Sequence, residues 1–250
     1  MTRFHITLII AALLGALALV LGNFVLLGAV VVALLTVIGL GVAFPQMSLF
    51  GPFVCRGASS RRCVALTFDD GPDARSTPVL LELLRETGVK AAFFCVGERV
   101  EANPELAARI VREGHLLENH SYAHSNFTNF FSGARLRAEL TQTQTAIQEA
   151  TGVSPTLFRP PMGLSNPRVF RTARSLGLKV IGWSARGLDT QTTDPQRIVA
   201  RITRRLEPGA IILLHDGNMP VERLVVTVKL LLAKLRERNY EVVRLDRMLK

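Results

Sequence analysis

Two adjacent carboxylates, Asp69 and Asp70, end the strand-like run Val64–Phe68 and run straight into Gly71-Pro72. Like charges in neighbouring positions repel, and one of them has its pKa raised unless a cation lies between them. Taken alone, Asp-Asp-Gly-Pro is an ordinary solvated turn. Residues far along the chain change that reading. His120 and His124 stand four positions apart, a spacing that on one helical turn aims both imidazoles at one ion. A histidine pair of this kind is by itself weak evidence. Joined by a carboxylate, it becomes a two-histidine, one-carboxylate set with a coordination position open for water. A metal there lowers the pKa of its water toward neutrality and polarises a bound carbonyl. One acid then ligates while its neighbour serves as base.

The elements that must position these residues alternate regularly. Strand-like runs fall at Val64–Phe68, Ala91–Val96, Leu116–Glu118, Leu157–Arg159, Leu178–Trp183, Ala210–Leu214 and Glu241–Val243. Helical stretches lie between them. Thr77-Pro78, Asn103-Pro104, Asn166-Pro167 and Asp194-Pro195 read as an N-cap with proline in the first turn. Gly88, Gly114, Gly152 and Gly177 read as helix-ending glycines. Strand and helix in strict alternation predict a parallel sheet, and about seven such units predict an α/β, distorted (β/α)7-type barrel. On that map the unusual polar residues all follow strands. Asp69 and Asp70 follow the first, Asn119 to His124 the third, and Arg159-Pro160-Pro161-Met162-Gly163 begins at the end of the fourth. Asp189 follows the fifth, and His215-Asp216-Gly217 the sixth. The C-terminal strand ends are where such barrels build active sites.

The first part of the chain is of another kind. No charged residue occurs from Ile6 to Phe44. A single helix of that length would run to roughly 58 Å, almost twice a bilayer's hydrocarbon core. Gly22-Asn23 offers a break, so two spans near 6–21 and 24–44 form a transmembrane helical hairpin at the cell membrane. A cleaved signal peptide fits less well, since a second span would remain. Arg3, Arg56, Arg61 and Arg62 flank the spans and favour a cytoplasmic domain, although large domains cross against that rule, and the face stays open. Residues 45–62 read as a linker and 63–250 as the catalytic domain. The net charge of +10 suits an anionic membrane surface or glycan. No nucleic-acid-binding motif is present, so nucleic acid is not an expected partner. Cys55, Cys63 and Cys95 form no disulfide framework: Cys95 reads as core, and a Cys55–Cys63 bridge is left open.

From about Val64 onward the chain resembles the polysaccharide deacetylases of the NodB-homology type, carbohydrate esterase family 4 (CE4), through five motifs in order. Thr67-Phe68-Asp69-Asp70-Gly71 matches the family's base-then-ligand motif, and His120 and His124 match its histidine ligands. Arg159 and Pro161 match its Arg-x-Pro motif, Trp183 and Asp189 its tryptophan-to-aspartate motif, and Leu213 and His215 its Leu-x-His motif. The resemblance implies a distorted barrel and hydrolysis of N-acetyl groups on an amino-sugar polysaccharide of the peptidoglycan or chitin kind. It implies a divalent metal on Asp70, His120 and His124, zinc first, with cobalt, nickel and manganese as alternatives. Asp69 would be the base, held by Arg159, and His215 the general acid, oriented by Asp189. Met162 would give its backbone N–H to the oxyanion, while Pro161, Trp183 and Leu213 would line the substrate site. Two departures matter: Met162 stands where the family usually has tyrosine, and Thr190 where a second tryptophan is common. Both remove aromatic surface that sugars stack on. A lipid-linked sugar, a formyl group or an O-acetyl ester is therefore the second reading of the substrate. A glycan-binding module without catalysis is the third, and the complete set of ligands, base and acid argues against it.

Overall fold

The strand-like runs become one parallel sheet. The computed structural model describes residues 2–58, 61–217 and 219–250. Its strands are β1 (Cys63–Gly71), β2 (Ala92–Cys95), β3 (Leu116–Asn119), β4 (Leu157–Phe158), β5 (Lys179–Val180), β6 (Ala185–Arg186), β7 (Ala210–His215) and β8 (Glu241–Val242). Its α-helices are α1 (Arg3–Val20), α2 (Phe24–Ala43), α3 (Ser76–Thr87), α4 (Gly97–Ala102), α5 (Pro104–Arg112), α6 (Gly133–Thr151), α7 (Pro167–Ser175), α8 (Pro195–Arg204), α9 (Val221–Glu237) and α10 (Leu245–Met248). The sheet order is β5-β4-β3-β2-β1-β7-β6, with β8 beside the start of β1.

β1 is central and buried throughout, as a parallel strand covered on both faces must be. Its side chains alternate between two environments. Val64, Leu66 and Phe68 pack outward into the layer containing Leu80, Leu84, Val228 and Leu231 of α3 and α9. Cys63 and Ala65 point inward, to a smaller cluster with Phe94, Ile181, Trp183, Ile211 and Leu213. The same period of two carries Thr67 and Asp69 to the inner face.

The barrel is open on one side. No ladder joins β5 to β6 among the described residues; instead the segment before β1 crosses the seam. Val54 N–H donates to Val180 O, Gly182 N–H donates to Val54 O, and Arg56 forms an antiparallel bridge with Ala210. Part of the segment read as a linker is therefore packed structure, with Phe50 and Phe53 buried; Ser59 and Ser60 lie outside the described residues. β6 was not anticipated, because two residues carry no periodicity. Of the run Leu178–Trp183, only Lys179 and Val180 enter a ladder. Thr77 does not cap α3; Asp73 does that work, accepting from Arg75 and Ser76 N–H at 2.9 and 3.0 Å. Asn166 and Asp194 do cap α7 and α8 through their side chains. No disulfide joins the three cysteines.

α1 and α2 form a hairpin that turns at Gly22 and Asn23, where Asn23 Oδ1 accepts from Leu26 N–H. Its open end returns to the barrel: Phe4 N–H donates to Leu49 O, and the Phe4 and Phe50 rings meet edge to face.

Candidate active site

Parallel register brings the functional side chains to one level. Asp69 is the ladder partner of His215, and Asn119, the residue before His120, is that of Phe158, the residue before Arg159. Inward from β1, Asp69 Oδ1 accepts from Arg159 Nη1 at 2.6 Å. The same nitrogen donates to Thr67 Oγ1 at 2.8 Å, and Nη2 donates to Gly182 O at 2.8 Å. Arg159 is fully buried with its guanidinium over the Phe94 ring. Burial pulls its pKa below the usual value, and the Asp69 carboxylate opposes that fall. A buried pair of this kind is held by geometry; removing one partner leaves a bare interior charge.

Asp70 turns the other way, with a left-handed backbone at φ 70°. Its Oδ1 lies 3.4 Å from His120 Nε2 and 3.1 Å from His124 Nε2. Burial alone would raise this carboxyl, but the two imidazoles hold it well below the carboxylate range. One potential ligand atom from each of Asp70, His120 and His124 lies within 4.8 Å of the others. Asp70 Oδ1 is buried without an aligned hydrogen bond. The spacing predicts a shared helical turn, which the histidines do not form. They sit on a loop in which Ser121 and His124 are left-handed, at φ 65° and 47°. The His120 Nδ1 lies 2.7 Å from Arg159 O, which directs Nε2 toward Asp70. Among the described residues, five of the seven non-glycine positions with positive φ, Asp70, Ser121, His124, Met162 and Leu188, are in these rim loops. Such conformations cost about 1–3 kcal/mol each and persist where the surroundings enforce them.

His215 faces Asp189, with Nδ1 3.1 Å from Oδ1, while its backbone N–H donates to Oδ2 at 2.8 Å. Burial would lower the imidazole pKa, but the Asp189 contact and the nearby acids raise it to about 9. Asp69, Asp70, His120, His124, Met162, Trp183, Asp189, Leu213 and His215 line one cavity of about 230 Å³. Arg159 lies beneath it and reaches it through Asp69. Pro161 is buried in the adjacent 3-10 turn (Pro161–Gly163) and does not line it. The Met162 side chain is 60% exposed at the rim. Trp183 packs against Gly163, where φ is 68° and any β-carbon would run into the indole.

The polysaccharide deacetylase family model matches residues 56–181. The chain is also 32% identical, over 77% of its length, to a peptidoglycan-N-acetylglucosamine deacetylase of Bacillus cereus, of which it covers 90%. The chain belongs to the polysaccharide deacetylase family. This deacetylase is thus a hydrolase of non-peptide carbon–nitrogen bonds. Its fold is shared with a CE4 family pseudoenzyme from Bacillus anthracis, at 29% identity and a TM-score of 0.74 over 80% of this chain and 69% of that one. A family 4 carbohydrate esterase from Streptomyces lividans in complex with acetate matches at 32% identity and a TM-score of 0.67, over 76% and 93%.

Several residues around the candidate site had not been singled out from sequence. Glu139 of α6 is buried and accepts from Tyr122 and Ala123 N–H, both at 3.0 Å, pinning the histidine loop. Its signal was available: an acid at helical spacing among the buried Leu136, Leu140 and Thr143. Arg186, Leu188 and Gln191 carry no such signal, and Thr190, noted only as a missing aromatic, lines the cavity with them. Asp216 supports the loop after His215. Its N–H donates to Asp69 O at 3.1 Å, and its Oδ2 accepts from the Thr77 hydroxyl at 2.6 Å. Burial pushes its carboxyl up to about 7.

Proposed function

We propose that this deacetylase removes N-acetyl groups from an amino-sugar polymer of the peptidoglycan type, using a divalent metal held by Asp70, His120 and His124. The observation that carries the reading is Asp70 Oδ1, a buried oxygen without an aligned hydrogen bond that faces both Nε2 atoms at 3.4 and 3.1 Å. Two imidazoles and one carboxylate so close together fit a catalytic zinc with an open position. When bound there, the cation would polarise the acetamide carbonyl and lower the pKa of a neighbouring water.

The chain's own residues supply the rest. Asp69 takes the proton of the attacking water as its oxygen bonds to the acetamide carbon. Arg159 fixes that carboxylate through Oδ1, which leaves Oδ2, 3.8 Å from His120 Nε2, as the acceptor. The Met162 N–H donates to the carbonyl oxygen as it gains charge, a contribution of about 3–4 kcal/mol for a donor of this type. His215, protonated and held by Asp189, gives its proton to the departing nitrogen. The carbon–nitrogen bond breaks, leaving acetate and a free amino sugar. A pseudoenzyme on this fold means that the fold alone does not imply turnover. The complete set of base, ligands and acid around one cavity supports catalysis.

The anchor belongs to the same proposal. α1 and α2 have 18 and 20 residues and mean hydropathies of 2.1 and 2.8, and the fully buried residues in them are Ala18 and Gly41. At 1.5 Å per residue they are about 27 and 30 Å long, close to the roughly 30 Å hydrocarbon core. Residues 1–44 would hold the 63–250 domain at the membrane surface.

The test uses the full chain in neutral detergent. Acetate release is measured from peptidoglycan and from N-acetylglucosamine oligomers, after chelation and again after zinc is restored. Release that stops with chelator and returns with zinc is expected. Release indifferent to chelation would contradict the metal reading. No release despite one tightly bound metal per chain would redirect the substrate to a lipid-linked or formylated sugar.

A further inference from the structure

A second cavity, larger than the catalytic one, lies where the hairpin meets the barrel. It measures about 650 Å³, within the roughly 300–1,000 Å³ of ligand pockets. The first turn of α1, the segment 50–54 and the adjoining α7 and β5 enclose it. Its wall combines two chemistries. Phe4, Phe50 and Phe170 supply an apolar surface, while Arg171, Arg174 and Lys179 stand at it with exposed side chains. None of these three cations makes an ion pair among the described residues. No carboxylate among the described residues lines the cavity.

Sequence makes this local charge balance one-sided. No Asp or Glu occurs in residues 1–68, nor between Glu149 and Asp189, and these two stretches build the whole junction. The cations at the junction therefore have no acid in these stretches to neutralise them. An aqueous polymer would meet the cations but not the phenylalanine wall; an apolar partner would meet the wall but strand three cations. A lipid with an anionic headgroup satisfies both, and basic residues at this depth are attracted to anionic lipid.

We propose that this junction is a binding site for one anionic glycerophospholipid. Its phosphate lies against Arg171, Arg174 and Lys179, and the upper part of an acyl chain lies against Phe4, Phe50 and Phe170. The site fixes the height and tilt of the catalytic domain above the bilayer. The proposal rests on the membrane-anchor reading of α1 and α2.

The full chain, purified in neutral detergent, is offered equal amounts of dioleoylphosphatidylglycerol and dioleoylphosphatidylcholine, and retained lipid is counted by native mass spectrometry. One phosphatidylglycerol per chain should be retained, in about tenfold or greater preference. The triple variant R171Q/R174Q/K179Q should lose that preference, while Arg236→Gln, on exposed α9 surface, should keep it. Equal retention of the two lipids, or an unchanged preference in the triple variant, would overturn the site. So would retention of a polyprenyl phosphate in place of phosphatidylglycerol, which would mark the cavity as a carrier-lipid site. Alkaline extraction of membranes separates the two readings. A chain that stays in the pellet without lipid preference loses only this site, whereas a chain released by alkali loses the anchor itself.

Discussion

Replacing Asp189 by asparagine keeps the shape of its contact with His215 and removes the charge. The remaining amide oxygen can still accept from the His215 backbone N–H, now received by Asp189 Oδ2 at 2.8 Å. The imidazole loses the carboxylate 3.1 Å from Nδ1. With Asp189 present the His215 pKa is raised from 6.5 to about 9, against burial that lowers it. Without it, burial is opposed only by the more distant acids, so the value should fall back toward the ordinary 6.5. A general acid is active while protonated, so a raised pKa extends activity to higher pH, and activity is lost as pH rises through that value. At pH 8 a group titrating at about 9 is about 90% protonated, and one at about 6.5 about 3%. The variant should therefore lose roughly thirtyfold in kcat/KM at pH 8 and much less near pH 6. A cation on Asp70 would offset that residue's share of the rise, so the imidazole itself is followed by NMR in the chelated full chain. Equal His215 midpoints in the two proteins, or a wild-type midpoint at or below 6.5, would refute the assignment of Asp189 as the charge that holds His215 protonated.

Three further outcomes are expected. Asp69→Asn should still bind one metal per chain while acetate release falls by about 10²–10⁴, read by metal analysis and turnover on the same samples. Arg159→Met should destabilise by about 3–5 kcal/mol, since Asp69 would be left buried without its cation; a denaturation midpoint near wild type would show that the pair carries little. Glu139→Ala should weaken zinc binding about 10–100-fold without touching a ligand, because Tyr122 and Ala123 lose their shared acceptor; calorimetry distinguishes this from an unaltered site.

The parts of the site that were readable are those set by strand ends. Asp69, Asp70, His120, Arg159 and His215 each end or follow a strand-like run, and parallel register brings such positions to one level. The alternation of β1 then sends Asp69 inward and Val64, Leu66 and Phe68 outward. What could not be read is where the chain leaves regular geometry. The left-handed backbones of Ser121 and His124 have no sequence mark, so the histidine pair looked like a helical turn. The full burial of Arg159 goes against the habit of arginine and depends on Thr67, Asp69 and Gly182 converging from three places. The seam was missed because polar and glycine residues around Arg56 suggested a linker, although Phe50 and Phe53 nearby were a hint of packing.

The most direct test of the central claim is a zinc titration of the chelated full chain and of His124→Ala, with acetate release measured at every point. One zinc per chain should bind to the wild type, turnover should rise in step with occupancy, and the variant should need far more zinc to reach the same occupancy. Turnover in the chelated wild type, or zinc binding undiminished in the variant, would contradict a catalytic metal on Asp70, His120 and His124.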